Sequence, residues 1–458
     1  MASKRTQGQP FGTRTRAVLK ELHTYESQNV TFIDPDGRWP MVWTEARGTR
    51  VTDIEGRHYL DLTGAFGVAA AGHANPRVVK AGQKQMATLL HAMGDVHPHP
   101  LKAALARELS KITFERWTRG KKSAMRGKTI FCNSGFEAVE AALKTALLAT
   151  KRSGIIAFEG GYHGLGYGSL NATHRAHFRS PFLKQLGGFA TFVPFPIEET
   201  ARRTHPNKLL LKLKDVEKLL RAAFRKNRIG AVLLEPIQAR GGINIPPAAF
   251  LPLLRRLCNE HGALLIFDEI YTGFGRTGRW FACEHSGTVP DLICLGKAMT
   301  GGFPMSACVG RAELMDKAWP VSNGEAIHTS TFLGHPVGCA MSLAQIGEIR
   351  RLKLPDRSQR LGQFLLKNLD AIRVPKGIKA QSRVIGLMAG WELWNEDGTP
   401  ATTLALQLIK EMLHQGFILL PEGADANVIS FTPPLTVSET ELSRTIRTLE
   451  KTLHRLAS

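Results

Sequence analysis

No stretch of this chain approaches the roughly 20 consecutive apolar residues that span a bilayer, which argues against a membrane protein. Cysteine is scarce. The six present (Cys132, Cys258, Cys283, Cys294, Cys308 and Cys339) form no CxxC pair and no metal-ligand spacing. No disulfide framework and no metal site are therefore expected, and reduced, buried thiols suit their apolar settings. Acidic residues are also in short supply: 39 Asp and Glu stand against 60 Lys and Arg, a net charge of +21. Such an excess attracts anionic ligands to a cleft and raises nucleic acid as a partner. The basic clusters at 119–128, 201–214 and 221–228 do not interleave aromatics as a base-stacking platform does. A solvated face is the simpler reading, and no nucleic-acid partner is expected. The first acid is Glu21, and the residues before it hold no apolar core of the signal-peptide kind. A frayed basic tail and a cytoplasmic location are expected.

What is present is ordinary for a soluble globular protein. Hydrophobic residues make up 43% and charged ones 22%, and 458 residues are too many for one minimal core. Between about 125 and 310, short apolar runs alternate with helical patterns. The runs are Thr129–Cys132, Gly154–Phe158, Ala190–Val193, Ala231–Leu234, Ala263–Phe267, Asp291–Leu295 and Ser306–Val309. Continuous apolarity predicts strands buried on both faces. Helices are predicted at Glu137–Thr150, after Ser134, and at Phe250–His261, stopped by Gly262. The fold class expected is α/β, with a mostly parallel, doubly wound sheet. Beyond about 335 the pattern changes. A long helical segment runs to about Leu369, a strand lies near Gly386–Leu393, and a helix near Thr402–Gln415. Short strands follow at Phe417–Leu420 and Val428–Phe431. Ser438 and Glu441 form a capping box that opens a last amphipathic helix. The expected division is a large domain at 76–335 and a smaller α+β domain at 336–458, with residues 1–75 packing on the latter.

In an open parallel sheet, ligands bind beyond the carboxyl ends of the strands. The first run ends in Asn133-Ser134-Gly135-Phe136-Glu137, where a helix begins and free N–H groups suit a phosphate. The second ends in a glycine-rich turn around Tyr162 and His163, which can offer a flat face to a planar ligand. Two other runs end in Glu235 and Asp268. A carboxylate closing a buried strand needs a cationic or hydrogen-bonding partner, so Asp268 is a candidate for a protonated ring nitrogen. The sixth run ends in Gly296-Lys297. A lysine at the mouth of an apolar strand is set for a lowered pKa and can bond to an aldehyde. Gly273-Phe-Gly275-Arg-Thr-Gly278 matches the GxGxxG dinucleotide pattern. It neither follows a strand directly nor opens a clear helix, so a dinucleotide site is not expected.

A phosphate site, a stacking aromatic, an acid for a ring nitrogen and a strand-end lysine are together the parts that hold pyridoxal phosphate. The chain is similar to the class III aminotransferases, the omega-aminotransferase group that includes acetylornithine and 4-aminobutyrate aminotransferases. The matching stretches are Leu60-Asp-Leu-Thr-Gly64, Gly72-His-Ala-Asn-Pro76, Asn133-Ser-Gly-Phe-Glu-Ala138, Tyr162-His-Gly164 and Glu235-Pro-Ile-Gln238. Asp268 through Gly278, Gly296-Lys-Ala298, Thr329-Ser-Thr-Phe332 and Pro433-Pro-Leu435 complete the set. The resemblance implies the aspartate-aminotransferase (type I) fold and pyridoxal 5′-phosphate as cofactor. It implies that Lys297 carries the cofactor as a Schiff base and moves a proton, and that Asp268 keeps the ring nitrogen protonated. Tyr162 would stack on the ring, His163 would support Asp268, and Gln238, with Glu235 nearby, would line the ring. Ser134, Gly135 and Phe136 would hold the phosphate. Thr331 would reach the phosphate of a neighbouring subunit, so a homodimer is implied.

Departures from the family pattern bear on substrate. Many relatives have Gln-Gly-Glu where this chain has Gln238-Ala-Arg240, and an arginine where it has Ser430. In those relatives the arginine binds an α-carboxylate, and the glutamate covers it otherwise. Tyr271 also replaces a glutamine. One positive charge is lost at 430 and one gained at 240, so Arg240 is the candidate carboxylate ligand. The alternative is that Arg240 points to solvent or pairs with a nearby acid. Phe66, Trp43 and Tyr271 are candidates for the substrate mouth, with core packing the alternative for Phe66 and Trp43. The expected reaction passes nitrogen from an amine or ω-amino acid to a 2-oxo acid such as pyruvate or 2-oxoglutarate. Aminomutase, racemase and lyase reactions on the same fold are the alternative.

Overall fold

The computed structural model describes residues 12–34, 37–120, 124–197, 212–226 and 228–457. The start of the basic tail and most of the 201–214 cluster lie outside the described residues, as do 121–123 and 227 in the other two clusters. From Thr13 to Tyr25 the basic segment is helical rather than frayed. The Glu55 carboxylate docks it by accepting from the Thr15 N–H at 2.9 Å.

All seven apolar runs are strands of one sheet: β1 (Gly127–Cys132), β2 (Gly154–Phe158), β3 (Ala190–Val193), β4 (Ile229–Leu234), β5 (Leu264–Asp268), β6 (Leu292–Leu295) and β7 (Ser306–Arg311). Their order is β1-β7-β6-β5-β4-β2-β3. β7 runs antiparallel to both of its neighbours, and every other pairing is parallel. β4, β5 and β6 are buried along their whole length. Their unbroken apolarity follows, because both faces meet packing rather than water. One face is covered by the helix Gly135–Thr150, whose Ala138, Ala141, Ala142 and Ala146 pack with Ile266, Cys294 and Cys308. Small side chains let this helix lie close to the sheet. Register then places the chemistry. Asp268 pairs with Cys294 across β5 and β6, so the end of β5 and the turn carrying Lys297 emerge side by side.

Beyond the sheet the structure departs from the expected elements in three places. The segment expected as one long helix is two, Pro336–Arg351 and Leu354–Asp370. Between them Lys353 is left-handed (φ 49°) and Pro355 restarts the helix where its missing N–H costs nothing. The strand near Gly386–Leu393 is Met388–Asn395, and it forms a hairpin with an unforeseen partner, Ile378–Ile385. The run Phe417–Leu420 divides between two sheets. Phe417–Ile418 lies parallel to His58–Asp61 in the N-terminal sheet, and Leu420–Glu422 pairs with Val428–Phe431 in the C-terminal one. The capping box is present: Ser438 Oγ accepts from the Glu441 N–H at 3.2 Å, and Glu441 accepts from the Ser438 N–H at 2.9 Å. All six cysteines are free and buried. No helix among the described residues is long and apolar enough to cross a membrane.

The GxGxxG stretch has a structural use. Arg276 is buried and donates from Nη1 to the carbonyls of Leu387 (2.9 Å) and Pro433 (2.6 Å). Its own carbonyl accepts from the Leu387 N–H (3.0 Å) and the Ser358 hydroxyl (2.7 Å). The loop thus clamps the C-terminal hairpin, and a glycine in the hairpin turn permits the backbone contact. Gly386 has φ +55°, and a Cβ there would stand 2.4 Å from the Thr277 carbonyl carbon. Gly386→Ala is expected to cost about 1–3 kcal/mol through strain and displaced backbone. A lowered denaturation midpoint checks this; an unchanged one would show that the clamp adds no stability.

Candidate active site

At the carboxyl ends of β5 and β6 lies a cavity of about 650 Å³. Asp268, His163, Glu235, Lys297 and Tyr271 are among the residues that line it. Asp268 Oδ2 is 2.8 Å from His163 Nδ1, both side chains being buried. An ionised carboxylate only accepts, so the imidazole proton sits on Nδ1. The Ile270 N–H donates to Asp268 Oδ1 at 3.2 Å. Glu235 accepts from the Tyr162 N–H and the Ala239 N–H, each at 3.0 Å, and burial pushes its carboxyl up to about 7. Lys297 has a left-handed backbone (φ 40°), and its Nζ stands 4.6 Å from the centroid of the Tyr271 ring. Burial lowers its pKa, against the opposing pull of Asp268 and Glu235. Burial likewise pushes the Tyr271 phenol up to about 12, and its oxygen lies 3.0 Å from the Thr432 hydroxyl.

The mouth is shaped by a left-handed turn. Gly64, Ala65, Phe66 and Gly67 have φ of 55°, 49°, 60° and 79°. Non-glycine residues take that conformation at a cost of order 1–2 kcal/mol each. Hydrogen bonds offset it: the Ala65 N–H donates to Asp61 Oδ2 (3.1 Å) and Thr63 Oγ1 (3.2 Å), and His73 Nε2 holds Asp61 Oδ2 at 2.7 Å. The turn presents Phe66 on the rim, roughly half exposed, while Gly67 packs on the Tyr271 ring.

Of the residues singled out from sequence, the structure gathers Lys297, Asp268, Tyr162, His163, Glu235, Gly135, Phe136, Arg240, Tyr271 and Phe66 around this one space. Ser134 caps the helix behind Gly135, and its Oγ is buried without a partner. Three expectations fare differently. Gln238 does not line the cavity. Its Nε2 donates to the Glu159 carbonyl (2.7 Å), and its Oε1 accepts from Asn244 Nδ2 (2.9 Å). With the Gln238–Asn244 backbone pairing, this closes a tight loop that carries Arg240. Trp43 sits exposed on the strand Trp43–Arg47, edge-on to His73, away from the cavity walls. Thr331 is exposed and is not part of this chain's cavity. Arg240 lies over the Tyr162 ring, its Cζ 5.3 Å from the centroid, with a buried, unpartnered Nε.

One residue was missed. Glu422 ends the strand Leu420–Glu422, is 5% exposed and stands near Arg240, Arg175 and Lys297. The signal was available: like Asp268, it is a carboxylate closing an apolar run.

The donor set fits pyridoxal phosphate. The buried, unsatisfied Ser134 hydroxyl at the start of a 16-residue helix suits a phosphate. A buried Asp–His pair faces a lysine across the same space. Fold and site together define a pyridoxal-phosphate-dependent enzyme of the aspartate-aminotransferase fold. Comparison with known proteins narrows the class. The profile described as Aminotransferase class-III matches residues 33–453. The acetylornithine aminotransferase of Methanosarcina acetivorans is 35% identical over 416 residues, covering 91% of this chain and 92% of that protein. The 5-aminovalerate aminotransferase of Pseudomonas aeruginosa is 33% identical over 422 residues, 91% of this chain and 94% of that protein. A Bacillus anthracis aminotransferase structure superposes with a TM-score of 0.85 at 26% identity, covering 97% of this chain and all (100%) of that one. The chain belongs to the class III aminotransferases. It is a transaminase, and its substrates are an amino donor and a 2-oxo acid acceptor.

Proposed function

We propose that the transamination is carried by Lys297 and Asp268, with Arg240 reading a substrate carboxylate. The observation that carries this reading is the buried Asp268–His163 pair sharing one cavity with the Lys297 amine. When bound, pyridoxal phosphate supplies an aldehyde that takes up the amino group and a ring that withdraws electrons from the reacting carbon. Lys297 holds the cofactor and, once released, moves the proton at the reacting carbon. Asp268 holds a proton at the ring nitrogen, and His163 fixes the carboxylate that does so. Tyr162 lies against the ring. The N–H groups of Gly135 and Phe136, with the Ser134 hydroxyl, bind the phosphate. Glu235 ties the Tyr162 turn to the Arg240 loop and so sets the distance between ring and carboxylate sites.

The donor proposed is an amine or ω-amino acid. The names of the relatives, acetylornithine and 5-aminovalerate aminotransferase, favour a terminal amino group. Half-reaction spectroscopy tests the reaction type. Donor added without acceptor should leave the amino form of the cofactor in place; a return to the starting spectrum would favour a racemase or lyase. Arg240→Ala should raise the Michaelis constant for the 2-oxo acid about 10- to 100-fold, the worth of a charge-assisted hydrogen bond, with little change in turnover. Steady-state kinetics with each acid substrate checks it, and unchanged constants for both would remove Arg240 from this role.

A homodimer belongs to the same reading. Exposed apolar side chains, among them Leu90, Met93, Ile327 and Phe332, lie on two segments joined by the Thr329–Asp95 hydrogen bond (2.7 Å) and the His91–Phe332 ring contact. A second copy would cover them and receive Thr331 at its phosphate site. The chain divides at about residues 75 and 335, a division that the pairing of His58–Asp61 with Phe417–Ile418 supports by joining the N-terminal segment to the C-terminal part. Six reduced thiols favour the cytosol.

A further inference from the structure

Tyr271 has no place in the roles above, although it replaces a glutamine of many relatives and lines the cavity beside Lys297. Its phenol is occupied. Thr432 Oγ1 donates to the Thr63 carbonyl at 3.0 Å, so the Tyr271 hydroxyl is the donor in the 3.0 Å bond to Thr432. A Cβ on Gly67 would stand 3.1 Å from Tyr271 Cε1, so backbone packs against the ring as well. The ring is therefore held in place, and Lys297 Nζ stands over it, 4.6 Å from the centroid. Among the described residues Nζ makes no hydrogen bond or ion pair, and the ring is the contact it has. The left-handed backbone of Lys297 (φ 40°) fixes where its side chain enters the cavity. Burial there favours the neutral amine. Asp268, Glu235 and Glu422 favour the ammonium, and Arg240 opposes it.

An aromatic face attracts a cation through its quadrupole and offers a neutral amine far less. A glutamine at this position has no such face. We infer that Tyr271 is a positioning residue whose ring face receives the Lys297 ammonium, keeping the proton taken from the reacting carbon inside the cavity until Nζ returns it. Nζ alternates between amine and ammonium, and the proton it gains is the one it later gives up. The ring draws the side chain back after each uptake, so the lysine is stationed beside Asp268 and Glu235 rather than drifting to the mouth. This rests on the reading of Lys297 as the proton carrier.

The test compares Tyr271→Phe, which keeps the ring face and removes the phenol, with a trifluorinated phenylalanine at the same position, which keeps the shape and weakens the face. The holoenzyme is first treated with donor, so that the cofactor is in its amino form and Lys297 is free. Acetic anhydride then labels neutral amines across a range of pH, and mass spectrometry of the Lys297 peptide follows its ionisation. Tyr271→Phe should titrate as the parent does. The fluorinated ring should raise the neutral fraction of Lys297 at fixed pH about 2- to 30-fold, the worth of a cation over an aromatic face. The acidic limb of the turnover profile should move to lower pH with it, because the base then stays unprotonated further down. Equal titration in the two ring variants overturns the inference and leaves Lys297 as the proton carrier. So does a Tyr271→Phe shift as large as that of the fluorinated ring, which would assign the effect to the phenol. Lys297→Ala with retained turnover overturns the reading beneath it.

Discussion

Lys297→Ala is expected to abolish transamination, with a fall in turnover of about 10⁴-fold or more, beyond the loss of a single general acid–base group. The geometry explains why no neighbour substitutes. Glu235 spends both carboxylate oxygens on the N–H groups of Tyr162 and Ala239. His163 presents Nδ1 to Asp268, and its Nε2 is buried without a partner. Tyr271 is pushed up to about 12 and faces Thr432, so it has no readily given or taken proton near neutral pH. Lys297 alone pairs a mobile side chain with a pKa lowered by burial. A lowered pKa enlarges the neutral, nucleophilic fraction at neutral pH, and that fraction grows as pH rises. Cofactor loading should therefore improve with rising pH in the parent protein. The alanine variant should bind the cofactor weakly, without covalent attachment, and added methylamine should restore part of the activity. Single-turnover kinetics provides the measure. A variant retaining more than about a tenth of parental turnover would place the proton transfer elsewhere.

Asp268→Asn should have the next largest effect, a fall in turnover of about 10²- to 10⁴-fold at saturating cofactor. The substitution keeps the shape of the side chain, but its single amide oxygen can accept from only one of the two parental donors, His163 Nδ1 at 2.8 Å or the Ile270 N–H at 3.2 Å. What it removes is the negative charge. An amide cannot stabilise a proton on a ring nitrogen, so the electron-withdrawing power of the ring falls where the reaction needs it. The loss should appear in turnover more than in the Michaelis constants, because the charge acts on the reacting carbon through the ring rather than on substrate binding. Asp268→Glu, which retains charge but shifts its position, should fall between the two. Parental turnover in the amide variant would show that Asp268 serves only to hold the fold.

Much of this was legible because the central sheet is buried on both faces. Each strand is then a short unbroken apolar run, and the polar residue that closes it marks the functional end. Asp268, Glu235 and Lys297 all follow that rule. Features that depend on contacts made late in the chain were not legible. Ile378–Ile385 is half-buried along most of its length, so it has no periodic signal of its own until Met388–Asn395 pairs with it. Nothing local says that Gln238 turns back to Glu159 and Asn244, or that Trp43 faces solvent. Arg276 could not be read as a clamp before Leu387 and Pro433 were known to meet it. Glu422 lay within reach of the strand-end rule, but the run before it divides between two sheets, which hid where it ends.

The most direct measurement is peptide mass spectrometry on purified protein incubated with pyridoxal phosphate and then reduced with borohydride. The peptide containing Lys297 should carry the reduced pyridoxyl group, and the absorbance of the bound cofactor should disappear on reduction. Modification spread over surface lysines, with Lys297 recovered free, would contradict the assignment of the site.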